Sequence, residues 1–213
     1  MTYVIEREHT PKNIGLVCVH GGGWVRGSPY NKNFEGIEDL RYNVYAPEYT
    51  LATPEKRSYP GVMWDIQRAM IYAAQRNEEV YLLGTSAGAT LALLTAIRYI
   101  RIDYPVKPSG LILMYGFYDF EDTSSLSPEV EDMFYTFIGN KSAAAKANPM
   151  NELDIIKDLP VLLVHGTRDT VINSSEADKF IKNRPDTYYR IMDSGHGIPV
   201  REIKADLALF IER

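Results

Sequence analysis

Along this chain, short apolar runs rich in β-branched residues and tyrosine alternate with longer stretches in which apolar residues return every three or four positions. The short runs cover residues 14–19, 44–49, 80–83, 111–115, 161–164 and 188–192, and each predicts a buried strand. The longer stretches, 62–75, 87–101, 174–183 and 200–212, have helical spacing. Strands that are apolar throughout need cover on both faces. The alternation therefore predicts an α/β architecture, a mostly parallel sheet flanked by helices.

Residues 117–151 break that rhythm. An acidic, Ser-rich stretch is followed by Met133, Phe134, Tyr135 and Phe137, and then by an alanine-rich stretch from Ala143 to Ala147. This reads as a cap-like insertion over one end of the sheet, between the strands ending at Tyr115 and Val164. Its aromatic residues could line a substrate pocket, or simply pack the insertion onto the sheet, which is the plainer reading. No repeat and no shift in composition marks a linker, so residues 1–213 are expected to form one domain.

Composition narrows the function classes. Hydrophobic residues make up 45% and charged residues 24%, the balance of a globular protein rather than a disordered one. The formal net charge is -5 and the basic residues are scattered, so nucleic acid is not an expected partner. The most apolar stretch, around Ala87 to Ile100, is interrupted by Thr90, Thr95 and Arg98 and is too short to span a bilayer, so no membrane insertion is expected. Acidic residues near the start stand where a secretion signal needs a basic flank, and the single cysteine, Cys18, lies in an apolar run with no partner for a disulfide. Both features fit a cytoplasmic location.

In open α/β sheets the ligand crevice lies at the carboxyl ends of the strands. Four segments there carry chemistry. The strand Val80-Tyr81-Leu82-Leu83 runs into Gly84-Thr85-Ser86-Ala87-Gly88 and then into a helix, the one context in which GxSxG has a mechanical meaning: Ser86 sits on a tight turn with its hydroxyl exposed. The bland alternative is a helix-capping serine. His20-Gly21-Gly22-Gly23-Trp24 follows another strand directly, and its glycines let backbone N–H groups approach a developing oxyanion. Gly22, Gly23 and Ala87 are the expected oxyanion donors. A flexible or phosphate-binding loop is the alternative, but neither GxGxxG nor a P-loop lysine follows.

Asp169 ends the run Val161-Leu162-Leu163-Val164-His165-Gly166-Thr167-Arg168-Asp169 and is the expected acid, ahead of Asp119 and Asp193, which lack that strand-then-turn context. Its bland alternative is a turn or capping residue. His196, in Ser194-Gly195-His196-Gly197, is the expected base, since flanking glycines allow an imidazole to reach back to Ser86. Alone it would read as a surface histidine, as His9 does. His20 and His165 read as structural residues near the sheet end. Serine, acid, histidine in that order, each after a strand, is the order of a hydrolytic triad in which a neutral imidazole takes the serine proton. Activity is then expected to fall below about pH 6 to 7.

These motifs resemble the α/β-hydrolase esterases of the hormone-sensitive-lipase-like branch, with a second likeness to kynurenine formamidases and small acetyl esterases. The likeness runs from Ile14 onward. A further segment, Tyr49-Thr50-Leu51-Ala52-Thr53-Pro54-Glu55 with Tyr59-Pro60 and Asp65, resembles a blurred form of that branch's YRLAPE and FPA stretch. The resemblance implies a cofactor-free carboxylesterase-type serine hydrolase acting on a small-molecule ester of short acyl chain, and with no HExxH and no paired-histidine spacing to hold zinc, no metal is expected. It departs from the branch at the N-terminus, where thirteen residues stand in place of a cap and two strands, so a sheet trimmed at that edge is expected. Trp24, beside the oxyanion glycines, is a candidate substrate-binding wall, with core packing as its alternative. Two further functions stay open. An amide or formamide hydrolase shares the mechanism, and a catalytically silent ligand-binding protein shares the fold.

Overall fold

The computed structural model describes residues 3–5 and 13–212. A seven-stranded sheet carries the fold, built from β1 (Tyr3–Ile5), β2 (Ile14–Val19), β3 (Asn43–Ala46), β4 (Glu79–Thr85), β5 (Gly110–Met114), β6 (Val161–Gly166) and β7 (Tyr188–Met192). Their order is β1-β3-β2-β4-β5-β6-β7. All neighbours are parallel except β1, which pairs antiparallel with β3 through Tyr3↔Ala46 and Ile5↔Val44. Six of the strands match the apolar runs. The seventh, β1, is a three-residue segment too short to show periodicity, and it adds a strand to the edge expected to be trimmed. Strand β3 stops at Ala46 rather than reaching Tyr49, because Pro47 has no N–H for the ladder.

Alternation within each strand divides the core in two. Val17, Val19, Leu82, Leu111, Leu113 and Leu163 face one side. Leu16, Cys18, Leu83, Ile112, Met114 and Val164 face the other, where Leu207 and Phe210 cover them. Both sets are buried, the property that demanded helices on both faces. Helices α1 (Met63–Ala74) and α2 (Ala87–Arg101) lie on the first side, and α2 also packs against the 3-10 helix Pro149–Ile156, which explains why it is apolar nearly all round. Burial pushes the Cys18 thiol well above its usual range, so it stays protonated. Among the described residues no helix is long and apolar enough to cross a membrane. Leu82 is fully buried at the centre of the sheet; Leu82→Ala is expected to cost about 2–5 kcal/mol of stability, read from the midpoint of urea unfolding.

Between β5 and β6 the insertion forms α3 (Pro128–Ile138), α4 (Lys141–Lys146) and the 3-10 helix already named. Pro128 starts α3 with its φ preset and two glutamates in the first turn favour its positive end. Phe134, Phe137 and Ile138 form its buried stripe. The remaining helices are α5 (Ser175–Asn183) and α6 (Lys204–Ile211); the stretch expected as one last helix begins instead as a 3-10 turn, Val200–Ile203. Buried Glu176 of α5 accepts the amides of Tyr118 (2.9 Å) and Asp119 (3.0 Å), fastening the start of the insertion to the body.

Candidate active site

Strand order reverses direction between β2 and β4, which pair through Val19↔Gly84, so the loops leaving their carboxyl ends diverge and open a crevice. The glycine loop leaves β2 there and Ser86 leaves β4. Ser86 has φ 53° and ψ -124°, a sparsely populated region for a residue with a Cβ and a strain of about 1–3 kcal/mol. The neighbours hold it: its amide donates to Met114 O (2.8 Å), and its carbonyl accepts from Ala89 (2.9 Å). A Cβ on Gly84 would meet the carbonyl of Gly88, and one on Gly88 would meet that of Val19. The GxSxG glycines are thus demanded by the contact of β4, α2 and β2.

The three residues expected to cooperate come together. His196 Nε2 lies 3.0 Å from Ser86 Oγ, and His196 Nδ1 lies 2.7 Å from Asp169 Oδ2. Asp169 is buried, and its Oδ1 accepts the amides of Val171 (2.9 Å) and Ile172 (3.0 Å). Burial by itself would raise its pKa, but hydrogen bonds from His165 and His196, the charge of His196 and the Ile172 amide outweigh it and hold the carboxyl well below the usual range. The rivals lie elsewhere. Asp193 is exposed and pairs with Arg168 (2.8 Å), while Asp119 pairs with Lys179 (3.3 Å).

Gly22 and Gly23 border the same crevice, with φ of 122° and 60°. Ala87, directly after Ser86, opens α2, so its N–H belongs to the unsatisfied positive end of that helix. Among the described residues no acceptor takes the amides of Gly22, Gly23 or Ala87. His20 stacks on Tyr49 at 4.1 Å, and the Tyr49 hydroxyl donates to His20 O (2.8 Å). Asp65 accepts from both the amide (2.9 Å) and the hydroxyl (2.7 Å) of Thr50. The blurred YRLAPE-like segment therefore braces the glycine loop from behind. His9 lies outside the described residues.

Trp24 also borders the crevice, but its ring is 1% exposed, stacked on Phe137 at 5.2 Å and tilted against Phe134 at 5.7 Å. Its ring is committed to joining the glycine loop to α3 rather than standing open as a wall. Phe117, Phe120 and Phe134 are likewise buried in mutual contact, and Phe137 is buried between Trp24 and Tyr59, so these aromatics pack the insertion down. The cavity itself, about 330 Å³, is walled by Val130 and Met133 of α3, by Val171, and on the polar side by Arg26, Asn31 and Asn33. Met133 Sδ lies so close to Gly23 that a Cβ there would strike it. Sequence reading missed these six, since none stands in a motif. It also missed Tyr115, whose ring meets His196 edge-on at 4.8 Å. A larger cleft of about 680 Å³ near Ile14, Tyr42 and Lys204 lies at the opposite end of the strands, away from Ser86.

Comparison with known proteins agrees with the architecture. The structure is similar to an esterase of Rhizomucor miehei (TM-score 0.79, 18% identity, covering 99% of this chain and 77% of that one). It is also similar to a putative esterase of Staphylococcus aureus (TM-score 0.78, 19% identity, 100% and 80%). These likenesses establish an α/β-hydrolase fold. In sequence, 121 residues are 37% identical to the versiconal hemiacetal acetate esterase of Aspergillus parasiticus, covering 51% of this chain but 37% of that protein's length. Residues 3–183 match the BD-FAE family model, and with most of its length inside that match the chain belongs to the BD-FAE family.

Proposed function

We propose that the protein is a serine hydrolase that cleaves a small carboxylic ester of short acyl chain through an acyl-enzyme at Ser86. The observation that carries this reading is the continuous relay from Ser86 Oγ through His196 to buried Asp169, opening on a cavity beside unengaged backbone amides. In the mechanism, neutral His196 takes the Ser86 proton as Oγ bonds to the ester carbon. The amides of Gly22, Gly23 and Ala87 receive the oxyanion. Collapse of the tetrahedral intermediate breaks the bond to the alcohol, which leaves with the proton from His196. Water, deprotonated by His196, then attacks the acyl-enzyme and releases the acid, restoring Ser86. Asp169 stays ionised throughout and keeps the Nδ1 proton of His196 in place.

Short acyl specificity is supported by Met133, whose thioether closes the cavity over Gly23, and by the acetate ester named in the Aspergillus relative. Rates with p-nitrophenyl acetate, butyrate and octanoate between pH 5 and 9 test the reading. They are expected to fall with chain length and to drop in acid. A purified, folded protein inert toward all three would overturn the esterase, and turnover of an aryl formamide instead would assign an amide leaving group. Met133→Ala is expected to raise the octanoate to acetate ratio of kcat/KM by about tenfold, because a longer chain gains the space the thioether occupied. An unchanged ratio would place the acyl chain elsewhere.

A further inference from the structure

We propose that His165 is a positioning residue that acts through Asp169 to hold the His196 imidazole in line with Ser86; the inference rests on reading Ser86, His196 and Asp169 as one hydrolytic site. His165 stands near the end of β6, four residues before Asp169, and its side chain is wholly buried. Its Nε2 lies 2.9 Å from Ile172 O and 3.3 Å from Asp169 Oδ2. A carbonyl oxygen has no hydrogen to give, so the hydrogen of this contact sits on Nε2. Its Nδ1 is buried and, among the described residues, has no hydrogen-bond partner, so nothing there would receive a second N–H. His165 accordingly gives its one N–H to Ile172 O and is held in a fixed orientation that sets the same nitrogen 3.3 Å from Asp169 Oδ2.

The consequence lies in how Asp169 is held. Its Oδ1 takes two backbone amides and its Oδ2 takes the His196 N–H, while the His165 Nε2 packs against Oδ2 at 3.3 Å. Ile172 closes the arrangement, giving its N–H to Asp169 and its carbonyl to His165. Turning the carboxylate would break several of these contacts at once. The side chain that orients His196 is therefore itself oriented before His196 is counted. The His165 imidazole, with that of His196, counters the burial that would otherwise raise the Asp169 carboxyl. An apolar side chain of similar size would fill the same space and supply no donor, which separates positioning from packing.

The test compares wild type, His165→Gln and His165→Leu in p-nitrophenyl acetate hydrolysis, and reads the tautomer of His165 in the wild-type protein at neutral pH by imidazole nitrogen NMR. Gln places an amide N–H near the position of Nε2, whereas Leu has none. His165→Leu is expected to lower kcat between about tenfold and a hundredfold with KM unchanged, and His165→Gln to recover most of the loss. The NMR signal is expected to show hydrogen on Nε2 and a bare Nδ1. A folded Leu variant with wild-type kcat would overturn the proposal, as would Gln and Leu variants that fall alike or a ring carrying hydrogen on Nδ1. The tautomer is read without turnover or mutation, so hydrogen on Nδ1 would overturn the proposal even where the Leu variant fails to fold, and the Gln variant then carries the test of activity. A wild-type protein inert to every ester but showing the Nε2 tautomer would instead count against the esterase reading alone.

Discussion

Ser86→Ala is expected to lower kcat for p-nitrophenyl acetate by about 10⁶-fold, with little change in KM or in stability. The size of the loss follows from what disappears. No other hydroxyl lies within hydrogen-bond distance of His196 Nε2 among the described residues, so the imidazole is left with no nucleophile to deprotonate. The methyl of alanine keeps the Cβ, the positive φ and the packing of the turn, and the backbone bonds to Met114 and Ala89 do not involve Oγ. What remains is the slow attack of water on an ester held beside the Gly22, Gly23 and Ala87 amides. Steady-state rates beside mass spectrometry of the protein after a fluorophosphonate probe check this. Wild type is expected to gain one adduct, on Ser86, and the variant none. A variant that keeps its rate would place the nucleophile elsewhere.

Asp169→Asn is expected to lower kcat by about 10⁴-fold although it changes one atom. One carboxylate oxygen faces two backbone amides and the other faces His165 and His196, so every partner of Asp169 is a donor. An amide group in either orientation turns its NH₂ toward donors. The relief open to His196 is to move its hydrogen from Nδ1 to Nε2, which removes the lone pair that must take the Ser86 proton. Stability changes in a pH-dependent way. The carboxyl pKa of Asp169 is depressed in the fold, so its contribution is fully present above the unfolded value of about 3.9 and is lost as pH falls through the lower folded value. The gap in unfolding free energy between wild type and Asp169→Asn is therefore expected to be widest near pH 7 and to narrow below about pH 4. Urea titrations at both pH values measure it, and a gap that stays constant with pH would show that the carboxylate charge is not what the fold stabilises.

The need for the two GxSxG glycines was legible in the sequence. Gly84 and Gly88 carry a spacing that only a strand turning at once into a helix requires, and the contacts of Gly88 with Val19 supply the reason. The strands were equally legible where they are buried on both faces, since apolar runs such as Ile14–Val19 admit few other environments. Strand β1 was not, because three residues at an edge leave no periodic trace, and β3 was overextended because its apolar character continues past Pro47.

For the site, the sequence by itself determined the kinds of residue and their attachment: a serine, a carboxylate and a histidine, each placed just after a strand, and a glycine loop after another. Parallel strands bring all such positions to one end of the sheet, so order along the chain carried information about proximity. Only the tertiary structure decided the rest. That Met133 closes over Gly23, that Tyr115 meets His196, and that His165 sets its Nε2 against Asp169 are contacts that the local patterns of these segments do not announce. A hydrophobic period records that a side chain is buried, and a turn motif records how the backbone bends. Neither records which distant atom it meets, because that is settled by how whole elements pack.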